Sequence, residues 1–140
     1  MGIILDSGFL FALKFKQDNR HSLSLKIFNE TEWEKYEPII TTNLVVEEVY
    51  TLVNVWTKSD LNSLEKIEQL FWGNENFFEI MELNAQEFQE IGKFLMKYSN
   101  KNRNLSFTDA SLIYLAFKFE YFTIISFDSH FDGIITRISN

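Results

Sequence analysis

Short apolar runs alternate along this chain with longer segments whose apolar residues recur at helical spacing, and that alternation does most to narrow the possible fold. Gly2 to Asp6 (GIILD) is an apolar run ending in an acid, and SGFLFALKFK from Ser7 suits a helix. A second helix is expected over His21 to Glu34 and a short strand over Pro38 to Thr41. Thr42 or Asn43 stands where a cap is needed for the apolar-periodic segment LVVEEVYTLVNVW, and helix continues over 60–72, DLNSLEKIEQLFW. Phe77 to Leu83 reads as a third strand. Asn84 to Glu87 has capping-box spacing and opens a helix with Phe88, Ile91, Leu95 and Tyr98 on one face. Ser106 to Asp109 repeats that spacing before ASLIYLAFKF, and Phe122 to Phe127 and Ile134 to Ile138 are the last strand candidates. Strands alternating with helices predict an α/β sandwich around a central, mainly parallel sheet, in one domain over residues 1–140.

Composition limits what such a domain does. One Pro and five Gly against 46% hydrophobic residues and 15 Phe exclude a long linker and argue for a packed core. With no Cys there is neither a disulfide framework nor a thiolate metal site. The opening MGIILDSG lacks the basic and long apolar regions of a secretion signal, and no stretch has the roughly 18 uninterrupted apolar residues of a membrane span, so the expected location is the cytoplasm, with no membrane partner. A formal charge of -7, from 13 Lys and Arg against 20 Asp and Glu, argues against binding polyanions with the whole surface. A local site in which metal ions and a few cations reverse the sign remains compatible with it.

The acids themselves fall in a pattern. Ligands of open α/β sheets bind beyond the carboxyl ends of the strands, where Asp6 and Asp128 both stand; their carboxylates face each other if the two strands are neighbours. On a helical wheel stepped at about 100° per residue, Val45, Val49, Leu52, Val53 and Trp56 define the buried face, which places Glu48 on its margin and Glu47 towards water. A carboxylate on that margin needs a cation or hydrogen-bond donors. Asp109 lies on the apolar stripe of its helix, where capping a first turn is the commoner use of such an acid. Three or four carboxylates in one pocket repel unless a divalent ion neutralises them, and oxygen ligands with no Cys and only two His favour Mg²⁺ or Mn²⁺ over Zn²⁺. That arrangement suits phosphoryl chemistry without a side-chain nucleophile.

Four stretches together, ILDSGFLFAL with Asp6, TTNLVVEEVYTLV with Glu48, LSFTDASLIYLA with Asp109 and IISFDSHF with Asp128, resemble the PIN-domain ribonucleases, in particular the toxin subunits of VapBC-type toxin–antitoxin pairs and their stand-alone relatives. The resemblance spans essentially the whole chain. It implies a PIN-like three-layer sandwich, four carboxylates binding Mg²⁺ or Mn²⁺, and metal-activated water that cleaves RNA phosphodiester bonds. In that scheme Asp6, Asp109 and Asp128 hold metal while Glu48 helps hold it or orients the attacking water. Ser7 contacts a metal-bound water or caps a helix, and His21 is structural. Asp132 is an extra acid of the last motif that supplements or replaces Asp128; it is weighted lower because Gly133, a turn signal, follows it. Phe131 is expected to anchor the SFDSHFD turn on the core, and His130 to be exposed and not a ligand.

An acidic protein that takes RNA needs cations along the route to the pocket, and the candidates are Lys14, Lys16, Lys97, Lys101 and Arg103, each also explicable as a solvated surface charge. The resemblance further implies an antitoxin whose peptide enters the acidic groove, often with an Arg, and a homodimer. Two other readings compete: a doubly wound Mg²⁺-binding regulatory domain, and a PIN-like interaction module that does not cleave.

Overall fold

The computed structural model describes residues 1–120 and 122–140. Its centre is a five-stranded sheet of β1 (Ile3–Leu5), β2 (Ile39–Thr42), β3 (Glu79–Met81), β4 (Thr123–Ile125) and β5 (Thr136–Ile138), in the order β3-β2-β1-β4-β5 with every pairing parallel. Ile3, Ile4 and Leu5 are wholly buried, as an unbroken apolar run in the middle of a parallel sheet requires. Six helices complete a three-layer sandwich: α1 (Ser7–Lys14), α2 (His21–Glu30), α3 (Asn43–Trp56), α4 (Leu61–Trp72), α5 (Ala85–Tyr98) and α6 (Phe107–Phe119). The chain steps outward from β1 to β2 to β3, then returns past β1 to β4 and β5. Right-handed crossovers therefore put α1 to α4 on one face and α5 and α6 on the other. The helix packing agrees, α1 lying against α2 and α3, α3 against α4, and α5 against α6.

Most of the expected elements are present, and the differences have local causes. The second helix stops at Glu30, not Glu34: Thr31 turns to extended backbone and its hydroxyl donates to the Ile27 carbonyl at 2.5 Å, after which Trp33–Lys35 form a single 3-10 turn. The expected continuation of helix from Leu44 to Trp72 is broken at Thr57 to Asp60. Lys58 and Ser59 adopt left-handed backbone (φ 54° and 63°), and Asp60 starts α4 afresh by accepting the Ser63 N–H at 3.0 Å. Of the two cap candidates for α3, Thr42 does the capping, accepting from the Val45 N–H. Asn43 instead bonds both backbone groups of Leu83, tying α3 to the strand-exit loop on the far side.

The connection from β4 to β5 is too short to hold an α-helix. It consists of a 3-10 turn, Ser129–Phe131, with Phe131 fully buried beneath it, so the expected anchor is in place. The Phe131 carbonyl accepts from both Ile134 and Ile135, and Gly133 takes φ +82°, a conformation L side chains adopt at a cost. Among the described residues no helix is long and apolar enough to cross a membrane.

Candidate metal centre

Strand order decides where a ligand can sit. The chain leaves β1 towards one edge of the sheet and leaves β4 towards the other, so the loops after these neighbouring strands diverge and open a crevice. Asp6 follows β1 and Asp128 lies just beyond β4. The adjacency assumed from the sequence is real: Ile4 is in register with Ile124, and the Asp6 N–H donates to the Ile125 carbonyl. The crevice is a cleft of about 360 Å³ lined by Asp6, Glu48, Asp109 and Asp128 together with Ser7 and Arg20. The four acids singled out in the sequence thus meet in one place.

Each is held by a different local device. Asp6 caps α1, its Oδ1 accepting the Ser7 N–H at 2.8 Å, while its Oδ2 accepts from the Ser126 hydroxyl at 2.6 Å. The Ser126 oxygen in turn accepts the Asp128 N–H at 3.0 Å, so this one buried serine links two of the acids. Glu48 is half-buried on α3 and Glu47 is exposed, the assignment the helical wheel makes. The Ser7 hydroxyl donates to Glu48 Oε1 at 2.5 Å; the α1 cap belongs to Asp6, so Ser7 is not the cap and instead holds the Glu48 carboxylate. Asp109 completes a capping box with Ser106, accepting the Ser106 N–H on Oδ2 at 3.1 Å, and among the described residues Oδ1 has no hydrogen-bond donor. Asp128 caps the 3-10 turn through the His130 N–H at 2.9 Å.

The electrostatics are those of a partly buried acid cluster. Burial pushes the Asp6 carboxyl up to about 7; the Ser126 hydroxyl opposes the rise, and the negative charges of Asp109 and Glu48 add to it. Burial also raises Asp109, with Asp128 and Glu48 contributing and the bonds to Ser106 opposing. Among the described residues no Lys or Arg forms an ion pair with any of the four. Asp109, Asp128 and His130 each offer a ligand atom, the three lying within 4.8 Å of one another. His130 was expected to stand apart; in fact its Nδ1 is buried without a hydrogen-bond partner, 3.4 Å from Asp128 Oδ1. Clustered oxygens, raised carboxyls and an orphaned imidazole nitrogen are a donor set that fits a divalent cation.

The remaining candidates stand outside the cleft. Asp132 is exposed and faces Arg137, which donates to both its oxygens at 2.7 and 3.0 Å and also reaches the Ser126 carbonyl. The bidentate guanidinium holds the Asp132 carboxyl below its usual range. None of the five cations proposed for RNA lines the cleft. Lys14 is paired with Glu75 at 2.6 Å, and Arg103 donates to the Asp132 carbonyl. Lys97 lies over the Tyr98 ring, and Lys16 and Lys101 are exposed. The cation that does line it, Arg20, and the bridging Ser126 went unnoticed in the sequence. Ser126 had a signal, its place between an apolar strand and an acid; Arg20, in the connection between two helices, had none.

A family model described as PIN domain matches residues 3–134. No curated protein sequence matches. Among solved structures, the Mycobacterium tuberculosis toxin VapC20, described as cleaving the sarcin-ricin loop, superposes with a TM-score of 0.77 at 19% identity, covering 96% of this chain and 97% of that one. VapBC2 from Rickettsia felis, solved on a DNA fragment from its promoter, gives 0.68 at 15% identity over 99% and 98% of the two chains. FitAcB from Neisseria gonorrhoeae gives 0.66 at 14% identity over 98% and 96%. At such identities the superpositions speak for the fold, and the family match over nearly the full length settles the rest: the chain belongs to the PIN-domain family.

Proposed function

We propose that this protein is a metal-dependent endoribonuclease, the toxin of a toxin–antitoxin pair, which hydrolyses RNA phosphodiester bonds at the carboxylate cleft. The observation that carries this reading is the meeting of Asp6, Glu48, Asp109 and Asp128 at the divergence of β1 and β4, where burial, with the negative charges of Asp109 and Glu48 adding to it, pushes the Asp6 carboxyl up to about 7. Asp6, Asp109 and Asp128 would hold Mg²⁺ or Mn²⁺, with Glu48 either completing the set or orienting water. A divalent ion there supplies neutralisation of the cleft, polarisation of the phosphate and acidification of water. The chain's own residues supply position. Ser126 fixes Asp6 relative to Asp128, Ser106 fixes Asp109, and Ser7 holds one Glu48 oxygen so that the other is free to face the cleft. Pre-set ligands of this kind bind metal without first losing side-chain freedom. His130 in the cluster favours Mn²⁺, which takes imidazole more readily than Mg²⁺ does.

The toxin assignment leans on the fold shared with VapC20 and with the VapBC2 and FitAcB proteins, and it brings an antitoxin and a homodimer as expected partners. A PIN-like module that does not cleave, or a Mg²⁺-binding regulatory domain, has no need of all four acids, and all four are in place. The test is cleavage of RNA by purified protein with Mn²⁺. Asp6→Asn and Asp109→Asn should each abolish it with folding retained. No cleavage by wild type, together with wild-type metal affinity in both variants, would end the proposal.

A further inference from the structure

Arg20 lines a cleft walled by four acids, yet it forms no ion pair with any of them. Its guanidinium carbon lies 5.1 Å from the centre of the Phe127 ring, and Phe127 sits between Ser126 and Asp128 in the metal-side loop. The backbone beneath it is fixed from several sides. The Arg20 N–H donates to Asp18 Oδ1 at 2.7 Å, the His21 N–H to the Asp18 carbonyl at 3.0 Å, and His21 Nδ1 is bonded to the Ala12 carbonyl at 2.7 Å. The structural role expected of His21 is therefore to pin the start of α2, with Arg20 its N-terminal neighbour. A guanidinium laid on an aromatic face keeps its in-plane N–H groups free, and those groups match an anion with two acceptor oxygens. Among the described residues Arg20 is the only Lys or Arg lining the cleft. The carboxylates take the cation; what remains for an unpaired guanidinium beside them is the polyanion that must be brought to that cation.

We propose that Arg20, seated on Phe127, grips a backbone phosphate of single-stranded RNA and so positions the strand at the carboxylate cleft, an inference that rests on the ribonuclease reading above. Arg20 forms no ion pair with any of the four acids, so its loss should spare the metal.

Steady-state cleavage of a labelled single-stranded RNA with Mn²⁺ tests this, set beside Mn²⁺ titration calorimetry. Arg20→Ala should raise KM about tenfold with kcat changed less than about threefold, the size of one charge-assisted phosphate contact. The slope of log(kcat/KM) against log salt should become shallower by about 0.7, one phosphate contact on a single strand. Arg20→Lys should restore the slope but not all of the KM, since an ammonium keeps the charge and loses the planar fork. Phe127→Leu should raise KM with the slope unchanged. Mn²⁺ affinity of Arg20→Ala should equal or exceed that of wild type. Wild-type KM and slope in Arg20→Ala would overturn the inference, as would loss of Mn²⁺ binding, which would make Arg20 a structural part of the metal site. If wild type cuts no RNA and the Asn variants bind Mn²⁺ like wild type, the ribonuclease reading falls by itself; titration of the same RNA onto wild type and Arg20→Ala then decides Arg20 separately, equal affinities refuting it.

Discussion

Replacing Asp6 by Asn should stabilise the metal-free protein, and increasingly so as the pH rises. Burial lifts the Asp6 carboxyl from 3.8 to about 7, so between those values the folded chain keeps a proton that the unfolded chain releases. With fewer protons bound in the unfolded state, stability falls as pH rises across that window and levels off above it. At 1.36 kcal/mol per pH unit, Asp6 costs the fold about 2 kcal/mol at pH 5.5 and about 4 kcal/mol at pH 8. Asn carries no charge and does not titrate. It keeps an acceptor for the Ser7 N–H, but it turns an amide N–H₂ towards Ser126, whose hydroxyl must then accept instead of donate, at a cost of about 1 kcal/mol. Asp6→Asn should therefore gain about 1 kcal/mol over wild type at pH 5.5 and about 3 kcal/mol at pH 8. Urea unfolding in EDTA, read by circular dichroism at both pH values, measures the difference; both lie above the sequence pI of about 4.8. Saturating Mn²⁺ should invert the order, because only the wild-type carboxylate is paired by the ion. A destabilisation by Asp6→Asn that is the same at pH 5.5 and pH 8 would refute the reasoning, since it would mean that Asp6 is not held protonated by its surroundings.

Ser126→Ala removes the bridge between Asp6 and Asp128, and Mn²⁺ affinity measured by calorimetry should fall about tenfold or more. Asp132→Asn, by contrast, should leave Mn²⁺ affinity and RNA cleavage at wild-type levels, because this carboxylate faces Arg137 and not the cleft. Phe131→Ala should cost about 3 to 5 kcal/mol in urea unfolding, as a wholly buried ring is deleted from beneath the loop that carries Asp128.

Periodicity and caps made the fold readable. The alternation of apolar runs with helical segments is enforced by a sheet buried on both faces, which is why Ile3 to Leu5 and Thr123 to Ile125 stand out from their surroundings. Both capping boxes, Asn84 with Glu87 and Ser106 with Asp109, formed as their spacing requires. Helix length was less legible. Nothing in Thr31 or in Lys58-Ser59 forbids helix locally, and tertiary packing chose the breaks there. Three of the four acids were readable for physical reasons: strand ends for Asp6 and Asp128, and the margin of an apolar stripe for Glu48. The wheel separated Glu48 from Glu47, neighbours with the same chemistry. Asp132 shares a motif with Asp128, but its Arg137 partner lies on β5, beyond the reach of any local pattern. Arg20 depends on loop geometry and was invisible for that reason, and the same geometry brings His130, read from the sequence as exposed and not a ligand, beside Asp128.

Asp109 shows why a site of this kind hides inside ordinary folding signals. Its Oδ2 accepts the Ser106 N–H and its own N–H is bonded to the Ser106 hydroxyl, so it meets every demand of a helix start while Oδ1 is left for the cleft. A capping acid already has its rotamer fixed, so placing a metal ligand there costs little further side-chain entropy. Asp6 and Asp128 repeat the economy, each capping a helical turn with one oxygen. Of the four acids only Glu48 caps nothing, and it is also the one whose position is set by a hydroxyl from another helix, Ser7 on α1. The fold therefore holds three of its four carboxylates by devices it needs for its own stability. What sets them apart from ordinary caps is that the three converge at one divergence of the sheet, where burial and neighbouring negative charge raise the Asp6 and Asp109 carboxyls and so oppose their ionisation in the folded chain.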